Sequence, residues 1–285
     1  MSEMIRLENR SVIEIKGPDA SDFLQGILSN DVNQTIYGKA IYTGLLTPQG
    51  KLLFDFFVVK SNDTYLLDVE KSESANLVKR LMFYKLRADV QITALESAVI
   101  CASLKEDMTA VENAISYADP RFDKIGARHI ILETESETCT PNPDKWLAHR
   151  ISLGLPEVGA DYAYGNCFPH DIAMDQLNGI GFQKGCYVGQ EVVSRMQHRG
   201  TARKRPMIVQ SDEELPTAPM KIEAQGSMIG TLGSTCGNMG LVEIRIDKAA
   251  KALREGKAFD VGGIAVKLLK PEWANYGEEF DTVGE

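Results

Sequence analysis

Between Ile41 and Val69 the chain runs as three apolar segments, Tyr42 to Leu46, Lys51 to Lys60 and Tyr65 to Val69. They are broken only by Thr47-Pro48-Gln49-Gly50 and Ser61-Asn62-Asp63. Aromatic and β-branched runs punctuated by such clusters predict consecutive strands joined by tight turns. Short turns permit only antiparallel neighbours, because a parallel pair needs a long crossover. Ahead of this meander, Val12 to Ile15 reads as a strand, Gly17-Pro18-Asp19 breaks it, and Phe23, Leu24 and Ile27 mark a helix. After it, Ser72 is placed to cap a helix carrying Leu77, Val78, Leu81 and Met82 on one face. Strands then return at Val90 to Ile92, Ala98 to Ile100 and His129 to Leu132. Glu133 to Pro143 reads as a connection and Trp146 to Leu153 as a helix. Beyond Thr201, the short runs Pro206–Gln210, Ser227–Gly233, Leu241–Ile246 and Ile264–Leu269 predict a separate small β-domain, a barrel.

At 285 residues the chain is long enough for two or three domains with a substantial core. A hydrophobic content of 44% and a charged content of 25% sit near soluble-domain averages and exclude wholesale disorder. The net charge of −9 opposes general binding to nucleic acid, since a polyanion meets repulsion. No stretch has the character of a signal peptide or the length of a membrane span, and the expected setting is cytoplasmic. The cysteines, Cys101, Cys139, Cys167, Cys186 and Cys236, are odd in number and scattered. That pattern fits a reducing compartment better than a disulfide scaffold.

The segment least explained by folding is Lys184-Gly185-Cys186-Tyr187-Val188-Gly189-Gln190-Glu191. Glycine costs roughly 0.5–1 kcal/mol relative to alanine in regular structure, so Gly185 and Gly189 imply unusual dihedrals or close backbone approach. Gln190 to Met196 reads as a short helix starting near Gly189. Cys186 then precedes a helix N-terminus, with Lys184 nearby, and both features favour a thiolate. A Gly-rich turn with an inert cysteine is the competing reading; the density of unusual residues favours a reactive or ligand-donating thiol. Arg195, His198, Arg199, Arg203, Lys204 and Arg205 follow directly. They form either a landing site for a carboxylate-rich ligand or acidic partner, or a solvated strand edge. Cys167, His170, Cys186 and His198 lack the spacing of a metal site, so no metal is assigned. A complete iron–sulfur site within this chain is equally unsupported, although one exposed cysteine can give a single ligand to a shared, transient cluster. Asn30-Asp31 follows the first helix, and Asp55 lies among Phe54, Phe56 and Phe57, facing either a cleft or solvent. Trp146 is either a packing anchor or a stacking surface for a flat heterocycle. A Gly-x-Ser-x-Gly elbow and a Walker-type loop are both missing, which lowers hydrolase and nucleotide-triphosphatase readings.

Lys184 to Glu191 resembles the K-G-C-Y-x-G-Q-E signature of the YgfZ-type folate-binding proteins, relatives of the glycine-cleavage T-protein that support iron–sulfur enzymes. The resemblance extends over nearly the whole chain. It runs through Phe23 to Gly26 with Asn30 to Val32, Thr47 to Lys51, Tyr84 to Val90, Asp119-Pro120-Arg121 and Val192 to Gly200. It implies an α+β, three-domain, T-protein-like architecture around a central cavity. The implied domains are a discontinuous folate-binding one (1–45 and 141–203), a second, ferredoxin-like α+β domain (46–140) and a C-terminal β-barrel (204–285). It further implies tetrahydrofolate or a derivative as ligand, and iron–sulfur client enzymes or cluster-assembly proteins as partners, without nucleic acid or membrane. The function implied is accessory rather than catalytic: assembly or repair of iron–sulfur clusters through Cys186, with Lys184, Gly185, Tyr187, Gly189, Gln190 and Glu191 as its motif. Arg195, Arg199 and Arg203 are the residues for an anionic ligand or partner. Trp146 falls where a relative has a folate-contacting tryptophan; a second such tryptophan corresponds to Arg10, whose guanidinium can stack on a ring. Asn30 and Asp55 complete the expected folate contacts. The alternative is a tetrahydrofolate-dependent aminomethyltransferase. Against it, the Gly-Tyr-Thr-Gly-Glu motif and the longer N-terminal segment of T-proteins are lacking, and Phe54-Asp55 stands where they carry paired aspartates.

Overall fold

The computed structural model describes residues 4–36, 38–104, 111–132, 139–200, 202–217 and 219–280. The chain divides into two compact units, Met1–Pro143 with Leu177–Ser194, and Asp144–Gln176 with Arg195–Glu285.

The first unit contains β1 (Met4–Arg6), β2 (Arg10–Lys16), α1 (Ala20–Ile27), β3 (Ala40–Leu46), β4 (Leu52–Ser61) and β5 (Thr64–Glu70). It continues with α2 (Ser74–Lys85), β6 (Gln91–Ala94), β7 (Val99–Ser103), β8 (Ala114–Ala118), β9 (Ala127–Ile131) and β10 (Thr140–Pro141). One sheet has the order β3-β4-β5-β2-β6 and is antiparallel throughout. The predicted meander is its first half, with Tyr42 opposite Phe57 and Phe57 opposite Asp68. Every residue of β3 is buried, which explains why it reads as a continuous apolar run instead of an alternation. The other sheet has the order β10-β1-β7-β9-β8, with β1 and β10 parallel.

Two local expectations change. Ser72 does not cap α2; its hydroxyl faces the Glu70 carboxylate at 3.2 Å, and the helix begins at Ser74. The apolar face of α2 narrows to Leu77 and Leu81, because Met82 points outward. The connection predicted over 133–143 lies partly outside the described residues. The expectation that the thiols are unpaired is also corrected. Cys101 and Cys139 form a disulfide, with Cα atoms 6.2 Å apart, in which Cys167, Cys186 and Cys236 take no part. Cys101 lies on β7 and Cys139 immediately precedes β10, two strands that the sheet places one strand apart across β1 although their residues are distant in sequence.

A buried charge network ties the two sheets. Asp68 on β5 accepts from Arg10 Nε at 2.6 Å, from Arg128 at 2.9 Å and from the Tyr117 hydroxyl at 2.8 Å. Asp119 accepts from Arg128 Nε at 2.9 Å and from Arg121 at 2.8 and 3.0 Å. Burial alone raises a carboxyl pKa. Here Arg10 and Arg128 outweigh it at Asp68, and Arg121 and Arg128 at Asp119, so both are held below the usual carboxylate range. Burial, reinforced by Asp68, pushes the Tyr117 phenol well above its ordinary value.

In the second unit, α3 (Pro143–Ser152) and α4 (Gln190–Arg199) precede the C-terminal strands, α4 starting in the first unit. These strands are β11 (Lys204–Ser211), β12 (Met220–Ala224), β13 (Ser227–Cys236), β14 (Met239–Arg245), β15 (Phe259–Val261) and β16 (Ile264–Leu269). The helix α5 (Ile246–Arg254) lies between β14 and β15. They close into a barrel of order β11-β14-β13-β12-β15-β16, with β16 pairing back onto β11, so no strand edge is left exposed. Val209, Leu232, Val242, Ile244 and Leu268 fill it. Gly230 permits close strand approach, since a Cβ there meets the Glu243 carbonyl at 2.4 Å.

Asp68→Asn removes an anion between two buried guanidinium groups and is expected to destabilise the fold by about 3–5 kcal/mol in urea unfolding at pH 7. Because the folded Asp68 pKa lies below its unfolded value near 3.8, its contribution is present above pH 3.8 and fades as pH falls through the folded pKa. The difference between wild type and variant should therefore shrink in strongly acidic solution.

Candidate functional site

The cysteine loop is held by anchors on either side. Lys184 and Tyr187 are buried, whereas Gly185 and Cys186 between them are exposed. The Lys184 ammonium donates to the carbonyls of Gln25 at 2.7 Å, Leu28 at 2.6 Å and Asn30 at 3.0 Å. These carbonyls belong to the last turn of α1 and the residues after it, where the helix leaves acceptors unmatched. A cation at that end also meets the negative pole of the helix. Burial lowers the Lys184 pKa to about 8, with the charge of Asp31 acting in the opposite direction. The ammonium lies 5.1 Å from the Tyr187 ring centroid, and burial pushes the Tyr187 phenol up to about 12.

All three N–H bonds of Lys184 are committed to backbone carbonyls, so its ammonium acts as a clamp on the loop. The two glycines also differ. Gly189 has φ +85°, and a Cβ there would lie 2.6 Å from the Thr47 carbonyl. The Thr47–Gly50 turn packs back against this region, a Cβ on Gly50 meeting Val192 at 2.8 Å. Gly185 has neither a positive φ nor any atom within 4 Å of a Cβ, so the fold does not require glycine there. Gln190 opens α4, as expected, and its amide donates to the Tyr187 carbonyl. Glu191 is exposed in the first turn.

The expected folate contacts are distributed differently. Asn30 donates to the carbonyls of Tyr42 and Asn178 and accepts from the Asp31 amide, so its amide group serves to fix the chain. Arg10 is buried against Asp68, with its guanidinium 5.7 Å from the Phe57 ring, which revises it from an open stacking wall to a core ion-pair member. Asp55 is half-buried on β4 and accepts from the Tyr42 hydroxyl at 2.7 Å. Trp146 is only 6% exposed, on α3 of the second unit, 6.3 Å from the His149 ring. Sequence reasoning missed an open cleft of about 740 Å³ in the first unit. Asn30, Asp31, Asp119, Asn178, Gln183 and Lys184 are on its walls, so the loop that presents Cys186 also borders this cleft.

The cationic run separates into two groups. Lys204 pairs with Glu243, and Arg205 is buried against Asp175, whereas Arg195, Arg199 and Arg203 are exposed. Cys167 is buried, its thiol donating to the Ala163 carbonyl at 3.7 Å. Among the described residues no group of three or more His, Cys, Asp or Glu side chains is placed to hold a metal ion.

The whole fold is that of the glycine-cleavage T-protein class. A solved structure of aminomethyltransferase T of the glycine cleavage system from Bartonella henselae superposes with a TM-score of 0.73 at 14% identity, over 99% of this chain and 88% of that one. Residues 4–105 match the GCVT N-terminal domain, and residues 203–276 match the CAF17 C-terminal beta-barrel domain. In sequence the chain is similar to the Neurospora crassa protein named iron-sulfur cluster assembly factor IBA57 homolog, mitochondrial. The two are 32% identical over 244 residues, 76% of this chain but only 56% of that relative. The Homo sapiens iron-sulfur cluster assembly factor IBA57, mitochondrial, is 28% identical over 303 residues, covering 94% of this chain and 84% of its own length. Both relatives are named as mitochondrial, which overturns the expectation of a cytoplasmic setting.

Two substitution tests follow from the geometry. Lys184→Met should lower stability by about 2–3 kcal/mol, since hydrogen bonds from a charged donor are lost and carbonyls are left buried. Gly189→Ala should cost about 1–3 kcal/mol, while Gly185→Ala should leave the urea midpoint unchanged. In the native protein a thiol-specific reagent should label Cys186 faster than buried Cys167.

Proposed function

We propose that this chain is a folate-binding accessory factor of the YgfZ type, supporting assembly or repair of iron–sulfur clusters in client enzymes, with Cys186 as its functional thiol. The observation carrying this reading is the presentation of Cys186, exposed on a loop whose flanking residues, Lys184 and Tyr187, are buried and fixed. A sulfur held this way can donate a lone pair to iron in a cluster shared with a partner. The exposed Arg195, Arg199 and Arg203 supply cations for an anionic ligand or partner surface. The unneeded glycine at 185 leaves room for a partner's backbone to approach the sulfur. The names of the relatives support the cluster-assembly role, and with it a mitochondrial setting.

For the folate, the proposal assigns direct contact to Asp55, with Asn30 and Arg10 as supports in the surrounding fold of the same unit. A half-buried carboxylate fixed by the Tyr42 hydroxyl is the acceptor that the N–H edge of a pteridine requires. The domain division at residues 45, 140 and 203 is part of the same proposal. The Tyr42–Asp55 pair also favours a second reading, one-carbon transfer from an aminomethyl donor to tetrahydrofolate, because it retains one acid on the strand where T-proteins carry two.

Complementation separates the two. In cells lacking the factor, Cys186→Ser should abolish restoration of an iron–sulfur enzyme's activity while leaving tetrahydrofolate affinity in calorimetry unchanged. Asp55→Asn should weaken that affinity about tenfold or more, equivalent to 1.4 kcal/mol. Full rescue by Cys186→Ser, together with folate turnover that depends on Asp55, would instead establish the transferase.

A further inference from the structure

The outward side of α2 carries an apolar cluster that folding does not use. Met82, Phe83 and Leu86 are exposed, Phe83 at 70% and Leu86 at 87%. Lys79, Met82 and Phe83 stand at positions i, i+3 and i+4 along the helix, with Leu86 just past its end, while Leu77 and Leu81 on the opposite side are buried. The helix ends at Lys85, and Leu86 after it has φ +47°, a backbone conformation that a leucine rarely adopts, with its side chain left in solvent. Cations frame the stripe. Lys79, Arg80 and Arg87 are exposed, Lys85 is half-buried, and none of the four has an ion-pair partner among the described residues. The acids nearest in sequence are Glu73, which accepts from Asn76, and Asp89, beyond the end of the helix.

We propose that this face of α2 docks into an apolar groove rimmed by carboxylates on a partner protein. Met82 and Phe83 in the last turn, with Leu86 directly after it, offer adjacent apolar anchors of the kind by which a helix face enters a groove. Unpaired cations beside those anchors, in a chain of net charge −9, select a partner of opposite sign. A second copy of the chain does not fit, because a two-fold contact would place Lys79, Arg80 and Arg87 against their own equivalents. A membrane surface fits less well, since the apolar part occupies only the last turns of a 12-residue helix.

The test uses the full chain with three probes: a fluorescein-labelled amphipathic Leu/Glu helical peptide, a Leu/Lys peptide of the same pattern, and vesicles of phosphatidylcholine with cardiolipin. Fluorescence anisotropy should show saturable binding of the Leu/Glu peptide and none of the Leu/Lys peptide. Affinity should fall about tenfold or more in Phe83→Ser with Leu86→Ser, and likewise in Arg80→Glu with Arg87→Glu. All four positions are exposed, so both variants should keep the wild-type thermal unfolding curve, which verifies that any loss comes from the face itself. The proposal is overturned if the Leu/Glu peptide does not bind or binds both variants as tightly as wild type. It is equally overturned if the same substitutions instead abolish vesicle binding or self-association measured by sedimentation.

Discussion

The structure around Cys186 depends on one ammonium group. Lys184 reaches from the cysteine loop to the end of α1 and satisfies three carbonyls, one in the last turn of the helix and two in the residues after it. Hydrogen bonding to backbone makes the interaction directional: a charge alone would fix the loop's distance, but three acceptors fix its orientation. Tyr187 then closes the other side, and Gly189 turns the chain over the Thr47 carbonyl into α4. What remains between the anchors is Gly185-Cys186, turned to solvent. The sulfur's availability is thus a consequence of where its neighbours are buried.

A second constraint operates behind the site. Asp68 and Asp119, with Arg10, Arg121 and Arg128, connect strands of both sheets through charges removed from water. Such pairs add little net stability over apolar packing, but they tolerate the loss of no single member. They also fix register, because each guanidinium fork accepts only one arrangement of its carboxylates. Phe57 lies beneath three of these guanidinium groups, at 4.3 Å from Arg128, 5.0 Å from Arg121 and 5.7 Å from Arg10. Arg10 serves this network.

The sequence made the meander and most barrel strands legible because β-branched and aromatic runs alternate there with glycine-containing turns. It concealed β12 and β15, whose residues are short and half polar, as in Met220-Lys221-Ile222-Glu223-Ala224. The helix α5 went unread although its faces contrast, Ala249, Ala250 and Ala252 lying opposite Asp247, Lys251 and Arg254, because it is a nine-residue insertion in a run of strands. At the site, the exposed cysteine and the strained Gly189 could be read from residue type. The task of Lys184 could not, since its acceptors are backbone carbonyls that carry no sequence signature and lie more than 150 residues away. The pairing of Cys101 with Cys139 was hidden for the same reason, being set by the order of strands around β1.

The account stands on Lys184 being a buried clamp, and its side-chain nitrogen can be observed directly. A pH titration of the Lys184 ¹⁵Nζ and ¹³Cε resonances in the folded protein should give a midpoint near 8, with slow proton exchange below it. A midpoint at the ordinary lysine value near 10.5, with an ammonium exchanging freely with water, would place the group in solvent and contradict the account.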